Sequence, residues 1–319
     1  MDRTLIVDGL NLFARHYAAH PAMSDNGEQI GGLVGFFYGV INIVEKFKPN
    51  NTIVVWEGGG SKRKRDFYKD YKKQSRPQRL NRYYDDIPDT LQNRNFQIKL
   101  LIALLDNMPI KQIYVEDCEA DDVIGYLSKY KFKNDIQLIL SADHDYYQLL
   151  NEKTRIWSPT VKGLVDTNAV IDRFSIHPAN FCLAKSIVGD PADNIIGVKG
   201  VGYKTLAKHF KKFQDKAEYT IEGFLEDVGR KYHEKNLKTF RSILDSTDVI
   251  HRNWRLVLLD MHNLAHEQIK RIDYCVDKRD IKIDKIKALQ LLLKNGICNL
   301  NIDKGFLIFK INNYNLRAS

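Results

Sequence analysis

Residues 135–145 read DIQLILSADHD, an apolar run from Ile136 to Leu140 broken only by Gln137 that ends, within a few residues, in two acids. A short branched-apolar run bounded by turn residues suits a strand buried on both faces. Three other stretches repeat the pattern: TLIVDG at 4–9, NTIVVWEG at 51–58 and KQIYVED at 111–117. Longer, helix-compatible segments lie between them, among them LVGFFYGVINIVEKF at 33–47 and DDVIGYLSKYKF at 121–132. This alternation predicts an α/β fold, with a parallel sheet flanked by helices. Ligands of such sheets bind beyond the carboxyl ends of the strands.

The acids fall at those ends. Asp8 closes the first strand, Glu57 closes the second, Glu119 follows the third, and Asp143 and Asp145 follow the fourth. CEADDV at 118–123 adds Asp121 and Asp122 beside Glu119. Acids in a first helical turn are favoured by the helix dipole, so this stretch alone could be a solvated helix start. Repetition of the placement at four strands argues instead for a common anionic site, whose charges need compensation because like charges raise one another's pKa.

The chain has 319 residues, 44% hydrophobic and 28% charged, as expected of a globular protein with a substantial core. The opening MDRTLIVDGLN does not have the pattern of a signal peptide, and the apolar run 33–44 is too short to span a bilayer. No membrane association is expected. Cys118, Cys182, Cys275 and Cys298 show no paired spacing, which fits a reducing, cytoplasmic setting.

The formal net charge of +9 is concentrated in residues 61–84, where ten Lys or Arg face two Asp. Phe67, Tyr68, Tyr71, Tyr83 and Tyr84 are interleaved with those cations. Cations that neutralise phosphates and rings that stack on bases favour single-stranded or branched nucleic acid over a membrane surface. With so little apolar surface, this segment is expected to be mobile without its ligand.

A second signal is VGDPADNIIGVKGVGYKTLAKHF at 188–210. Asp190 and Asp193 precede a glycine-rich hairpin, after which Leu206, Ala207, Phe210 and Phe213 recur at helical spacing among lysines. This predicts a helix-hairpin-helix grip on a DNA backbone, because glycines permit close approach and the N–H groups opening a helix can hold phosphate. A P-loop is the rival, but Tyr203 separates Gly202 from Lys204 and the preceding segment reads as helix rather than strand. Farther on, KIKALQLLLKNGICNL at 285–300 reads as helix, and GFLIFKINN at 305–313 as a strand or an exposed tail. His262 and His266 have a spacing compatible with metal on one helix, although a solvated helix is much the better reading.

Together, IVDGLNL (6–12), VVWEGG (54–59), DYKKQSRP (70–77), EADD (119–122), SADHD (141–145) and GDPADNIIGVKGVGYKT (189–205) resemble the flap endonuclease and 5'-exonuclease family. That family includes the 5'-nuclease domain of bacterial DNA polymerase I and stand-alone phage enzymes. The resemblance covers about residues 4–215 and, with no polymerase following, is to the stand-alone form. It implies a PIN-like nuclease core at 1–170 with a basic arch at 58–95, and a helix-three-turn-helix DNA-binding module at 171–260. Residues 261–319 would pack on the core and offer an interaction tail.

The resemblance further implies that Asp8, Glu57, Glu119, Asp121, Asp122, Asp143, Asp145, Asp190 and Asp193 surround two Mg²⁺ ions, with Mn²⁺ as a substitute. Metal ions rather than lysines would then neutralise the acids. K⁺ is implied at the hairpin. Bacterial members carry Asp where this chain has Glu57, which puts metal preference in question. Lys72 and Arg76 match the catalytic arch motif, with Lys73 competing for the role of Lys72 and Tyr71 offering a stacking face. Gly197, Lys199, Gly200, Gly202, Lys204, Thr205 and Lys208 would contact DNA.

The implied activity is 5'-3' exonuclease and flap endonuclease hydrolysis that leaves 5'-phosphates. Branched, nicked or 5'-ended DNA is the expected substrate, with an RNA–DNA hybrid as a further candidate, and a monomer is the expected state. A replication protein could dock on the tail. Two other classes stay open: a structure-specific DNA-binding protein that does not cut, supported by Glu57, and a phosphatase using DHD, which would want that motif after the first strand. An EF-hand at 143–153 lacks the glycine it needs at its sixth position.

Overall fold

The four apolar runs are strands β1 (Arg3–Asp8), β2 (Asn51–Trp56), β3 (Lys111–Tyr114) and β4 (Ile136–Leu140), in a computed structural model that describes residues 1–73, 91–277, 282–298 and 300–317. Two further strands, β5 (Thr154–Ser158) and β6 (Gly163–Val165), complete one sheet in the order β3-β2-β1-β4-β5-β6. All neighbours are parallel except β5 and β6. The chain runs outward from β1 through β2 to β3, then returns to place β4 on the other flank of β1. The strand order therefore reverses between β1 and β4, and the crevice outside their carboxyl ends is the place where such a sheet binds ligands.

Alternation along the strands divides the core. Leu5 and Val7 face one cluster, with α1 (Gly9–Ala19), α2 (Gly31–Phe47) and α4 (Leu91–Leu105), which follows α3 (Lys62–Phe67). Ile6 faces the other, with α5 (Ala120–Tyr126). Every one of these strand residues is fully buried, each contributing about 1.5–3 kcal/mol.

The second cluster continues into the helical segment: α6 (Thr167–Phe174), α7 (Phe181–Val188) and α8 (Tyr203–His209). Phe181, Phe210, Phe213 and Phe224 lie in the same hydrophobic cluster as Ile6, Ile53 and Ile139, so the helices share one core with the sheet. Between α7 and α8 the chain forms a small ribbon, β7 (Gly189–Asp190) paired with β8 (Ile195–Ile196). Gly197 is required there by contact: a Cβ would lie 2.1 Å from the Val188 carbonyl oxygen. Gly200 turns the chain at φ +77° in open space.

Three expectations change. Residues 302–317 form a helix rather than a strand or exposed tail, because Ile302, Phe306 and Phe309 recur at helical spacing and join the cluster that contains α2. His262 lies in a 3₁₀ turn (Met261–Asn263) while His266 opens the next helix, so they are not one helical pair. The first part of the basic segment is folded: Ser61 caps α3, and Lys64 and Tyr71 are buried. Residues 74–90, including Arg76, lie outside the described residues.

Candidate active site

Asp8 ends β1 and caps α1, accepting the Asn11 N–H at 3.2 Å. The same carboxylate accepts hydroxyls from Ser141 at 3.0 Å and Tyr146 at 3.1 Å. The Tyr146 oxygen also lies against the Asp121 carboxylate, though one hydroxyl carries a single proton to share. Burial, then the Asp121 charge, pushes Asp8 up to about 7. Asp121 and Asp143 are raised too, chiefly by burial. Among the described residues none of the three forms an ion pair.

Asp145, Asp190 and Asp193 form a second group, with carboxylate oxygens within 4.8 Å of one another. Asp145 opens the 3₁₀ turn Asp145–Leu149, its N–H donating to Asp143 at 2.9 Å. Asp190 lies in β7 and caps the next 3₁₀ turn, which ends at Asp193. Lys185, buried on α7, contacts Asp145 and lies 2.7 Å from Asp190. Burial raises Asp193 to about 6 against the opposing pull of Lys72.

The third group is compensated by lysine. Lys64 Nζ lies 2.8 Å from Glu119 and 3.0 Å from Asp122. Lys72 Nζ lies 2.7 Å from Glu119 and 3.5 Å from Asp193, bridging to the second group. Burial pushes Glu119 up, but Lys64 and Lys72 outweigh it and hold the carboxyl at about 2. Asn263 donates to Asp122 at 2.8 Å. Lys72 has φ +51°, a left-handed conformation held by its N–H bond to the Asp193 carbonyl at 2.9 Å.

Lysines share in the compensation, a role not expected from the sequence: Lys64, Lys72 and Lys185 pair with Glu119, Asp122, Asp145, Asp190 and Asp193. Tyr71 is only 4% exposed, donates its hydroxyl to Glu119 and packs its ring near Lys64 and Lys72, which leaves no free stacking face. Glu57 accepts the Gly60 N–H at 2.7 Å and the Ala120 N–H at 3.2 Å, tying the turn after β2 to the start of α5. Lys73 pairs with Asp70 at the surface. At the hairpin, Lys199, Gly200, Lys204 and Lys208 are exposed, and Gly197, Gly202 and Thr205 half-buried.

Sequence reasoning missed Lys64, Lys185, Ser141, Tyr146 and Asn263. A single lysine inside the apolar run FCLAKSIV at 181–188 was the available signal for Lys185.

Asp8, Asp121 and Asp143 offer hard oxygen donors, raised by burial and forming no ion pair among the described residues, a donor set that suits Mg²⁺ or Mn²⁺. The close oxygens of Asp145, Asp190 and Asp193 suit the same ions.

The family model described as the 5'-3' exonuclease, N-terminal resolvase-like domain, matches residues 3–175. The chain belongs to this 5'-3' exonuclease family. It is 28% identical over 309 residues to a 5'-3' exonuclease of Buchnera aphidicola, covering 96% of this chain and 95% of the relative. It is 31% identical over 242 residues to the DNA polymerase I of Bacillus subtilis, covering 73% of this chain but only 26% of the polymerase. In fold it is similar to the bacteriophage T5 D15 flap endonuclease, solved as a pseudo-enzyme-product complex with DNA and metal ions. That likeness has a TM-score of 0.63 at 19% identity and covers 98% of this chain and 99% of the phage chain. The family match includes Asp8, Glu57, Glu119, Asp121, Asp122, Asp143 and Asp145, whereas Asp190 and Asp193 lie beyond it and meet Asp145 through the tertiary fold.

Proposed function

We propose that this exonuclease-family chain is a divalent-metal-dependent 5'-nuclease that hydrolyses phosphodiesters at 5' ends, flaps and nicks. The observation that carries the reading is the convergence of Asp145, Asp190 and Asp193, from separate parts of the chain, to oxygen spacings within 4.8 Å. Asp8, Asp121 and Asp143 would hold one Mg²⁺, and Asp145, Asp190 and Asp193 the other. Bound Mg²⁺ supplies a water acidic enough to attack near neutral pH and offsets charge on the phosphate and leaving oxygens.

The chain's own side chains do the rest. Ser141 and Tyr146 orient the Asp8 carboxylate. Lys185 fixes Asp145 relative to Asp190, and Gln148 pins the turn that carries Asp145 by donating to the Asp145 and Val257 carbonyls. Lys72, bridging Glu119 and Asp193 and 37% exposed at its side chain, is placed to meet the scissile phosphate. Arg76 joins it in this proposal. Glu119 and Asp122 act as lysine-pairing acids, and Glu57 positions α5. The exposed hairpin lysines Lys199, Lys204 and Lys208 grip a duplex backbone.

K⁺ at the hairpin, activity on RNA–DNA hybrids, a monomeric state, a cytoplasmic setting and a replication partner at the C-terminal helix belong to the same proposal. Among the described residues no helix is long and apolar enough to cross a membrane. The test is a 5'-labelled flap and a nicked duplex incubated with Mg²⁺ or EDTA, with Asp145→Asn alongside. EDTA should abolish cleavage and Asp145→Asn should slow it by about 100-fold or more. Cleavage that survives both would overturn the reading, and product lengths separate exonuclease from flap cutting.

A further inference from the structure

A cavity of about 820 Å³ opens beside the start of β5, at the end of the sheet opposite the acids. Lys129, Lys133, Lys153, Arg155 and Lys216 line it, against two acids, Glu152 and Asp166. Both acids are engaged: Glu152 lies 2.8 Å from Lys216, and Asp166 caps α6 by accepting the Ala169 N–H at 2.9 Å. Lys129 lies 3.7 Å from Asp260. Lys133, Lys153 and Arg155 have no carboxylate partner among the described residues, and Lys153 Nζ reaches only the Asn134 carbonyl at 3.5 Å.

Surface lysines are usually just solvated, but these cations share a concave wall. Low-dielectric walls of one charge sign focus the field and attract a counter-charge. The lining identifies that counter-charge. Among the described residues no Phe, Tyr or Trp lines the cavity, so bases find no stacking platform there. The one ring is His177, whose Nδ1 accepts the Ala179 N–H at 3.2 Å, leaving Nε2 as a donor. The wall therefore suits phosphate oxygens.

The groove is also tied to the acid cluster. The 3₁₀ turn Asp145–Leu149 has Asp145 in the cluster at one end and Leu149 on the groove at the other. Five residues of 3₁₀ helix span about 10 Å, some three nucleotide steps along a helical strand. Gln148 sets that separation, bonding at both its amide atoms to residues 145, 257 and 259.

We propose that this groove is a second anchoring site for nucleic acid, holding a stretch of phosphodiester backbone without base contacts while another part of the same molecule occupies the acid cluster. The proposal rests on the nucleic-acid reading given under Proposed function.

The test measures binding of a fluorescent 5'-flap substrate in EDTA, across a KCl series, to wild type, Lys133→Glu/Arg155→Glu and a control, Lys294→Glu. The double variant should bind about 10-fold or more weakly, and its log–log salt slope should fall by about 1.4 to 1.8 for two lost phosphate contacts. Single-turnover cleavage at saturating protein with Mg²⁺ should be unchanged. An affinity and slope equal to those of wild type and Lys294→Glu would overturn the proposal.

Acetylation of lysine amines in the wild-type protein gives a readout that does not depend on the variants folding. The flap substrate should shield Lys133 and Lys153 but not Lys294, and unshielded amines would again overturn the site. Substrates with only a single-stranded arm, or only a duplex, show by shielding which arm enters. Shielding by tripolyphosphate but by neither DNA would reject the backbone assignment. Failure of the nuclease reading looks different: the wild type would then bind without cutting, with the groove lysines still shielded.

Discussion

Lys64 shows how one side chain can carry a site. It is buried, and among the described residues its ammonium is the one that pairs with both Glu119 and Asp122. The environment raises its pKa well above the ordinary lysine range, since Asp122 and Glu119 outweigh the cost of burial. Removing one member of a buried ion cluster leaves uncompensated charge and costs about 3–5 kcal/mol. Lys64→Met is therefore expected to lower unfolding free energy by that amount in urea titration, whereas Lys73→Met, at an exposed pair, should change it by less than about 1 kcal/mol. Equal, small losses for both would refute the role given to Lys64. In sequence the two lysines belong to the same basic block, and nothing in their spacing separates the buried cation from the exposed one.

At the scale of elements, the short ribbon between α7 and α8 does two jobs. It places Asp190 and Asp193 beside Asp145, and it turns the chain toward the exposed lysines of α8. Gly197 allows this by passing against the Val188 carbonyl, where a Cβ would have to displace backbone. Gly197→Ala should cost about 1–3 kcal/mol of stability and weaken both duplex binding and Mg²⁺ affinity. Titration of Mg²⁺ by calorimetry checks the second effect, and unchanged metal affinity would show that the ribbon does not position the acids. The stretch from α3 to Lys73 is an element of the site as well, since Lys64, Tyr71 and Lys72 all end on Glu119. Trypsin should cut poorly after Lys64 in the native protein, contrary to the mobility expected from charge alone.

For the whole molecule, the acids set a pH dependence whose sign is opposite to that of an ordinary salt-bridged protein. Asp8, at about 7, and Asp193, at about 6, lie above the 3.8 of an unfolded aspartate. The folded state then holds more protons than the unfolded state between about pH 4 and 7, so these groups make stability fall as pH rises through that window. Glu119, at about 2, acts the other way: its contribution is present above 4.5 and is lost as pH falls toward 2. In EDTA the melting temperature should be higher near pH 4.5 than at pH 7.5. Mg²⁺ at pH 7.5 should raise it by favouring the ionised acids. A metal-free melting temperature that climbs from pH 4.5 to 7.5 would count against the buried, mutually repelling carboxylates.

The sequence by itself determined four strands of the sheet and the edge where the acids gather, because strands buried on both faces must be apolar along their length and their ends must turn through polar residues. It also showed the glycine hairpin, whose backbone demands leave a residue signature. β5 and β6 were not visible: Arg155 is exposed and Leu164 largely so, which removes the continuous apolar run that marked the first four strands. Only the tertiary structure decided which lysines enter the acid cluster, that Tyr71 is enclosed, and that Asp190 and Asp193 meet Asp145. Charge compensation in a buried site depends on distances across the fold, and neither the identity of a lysine nor its neighbours in the chain records where its ammonium ends.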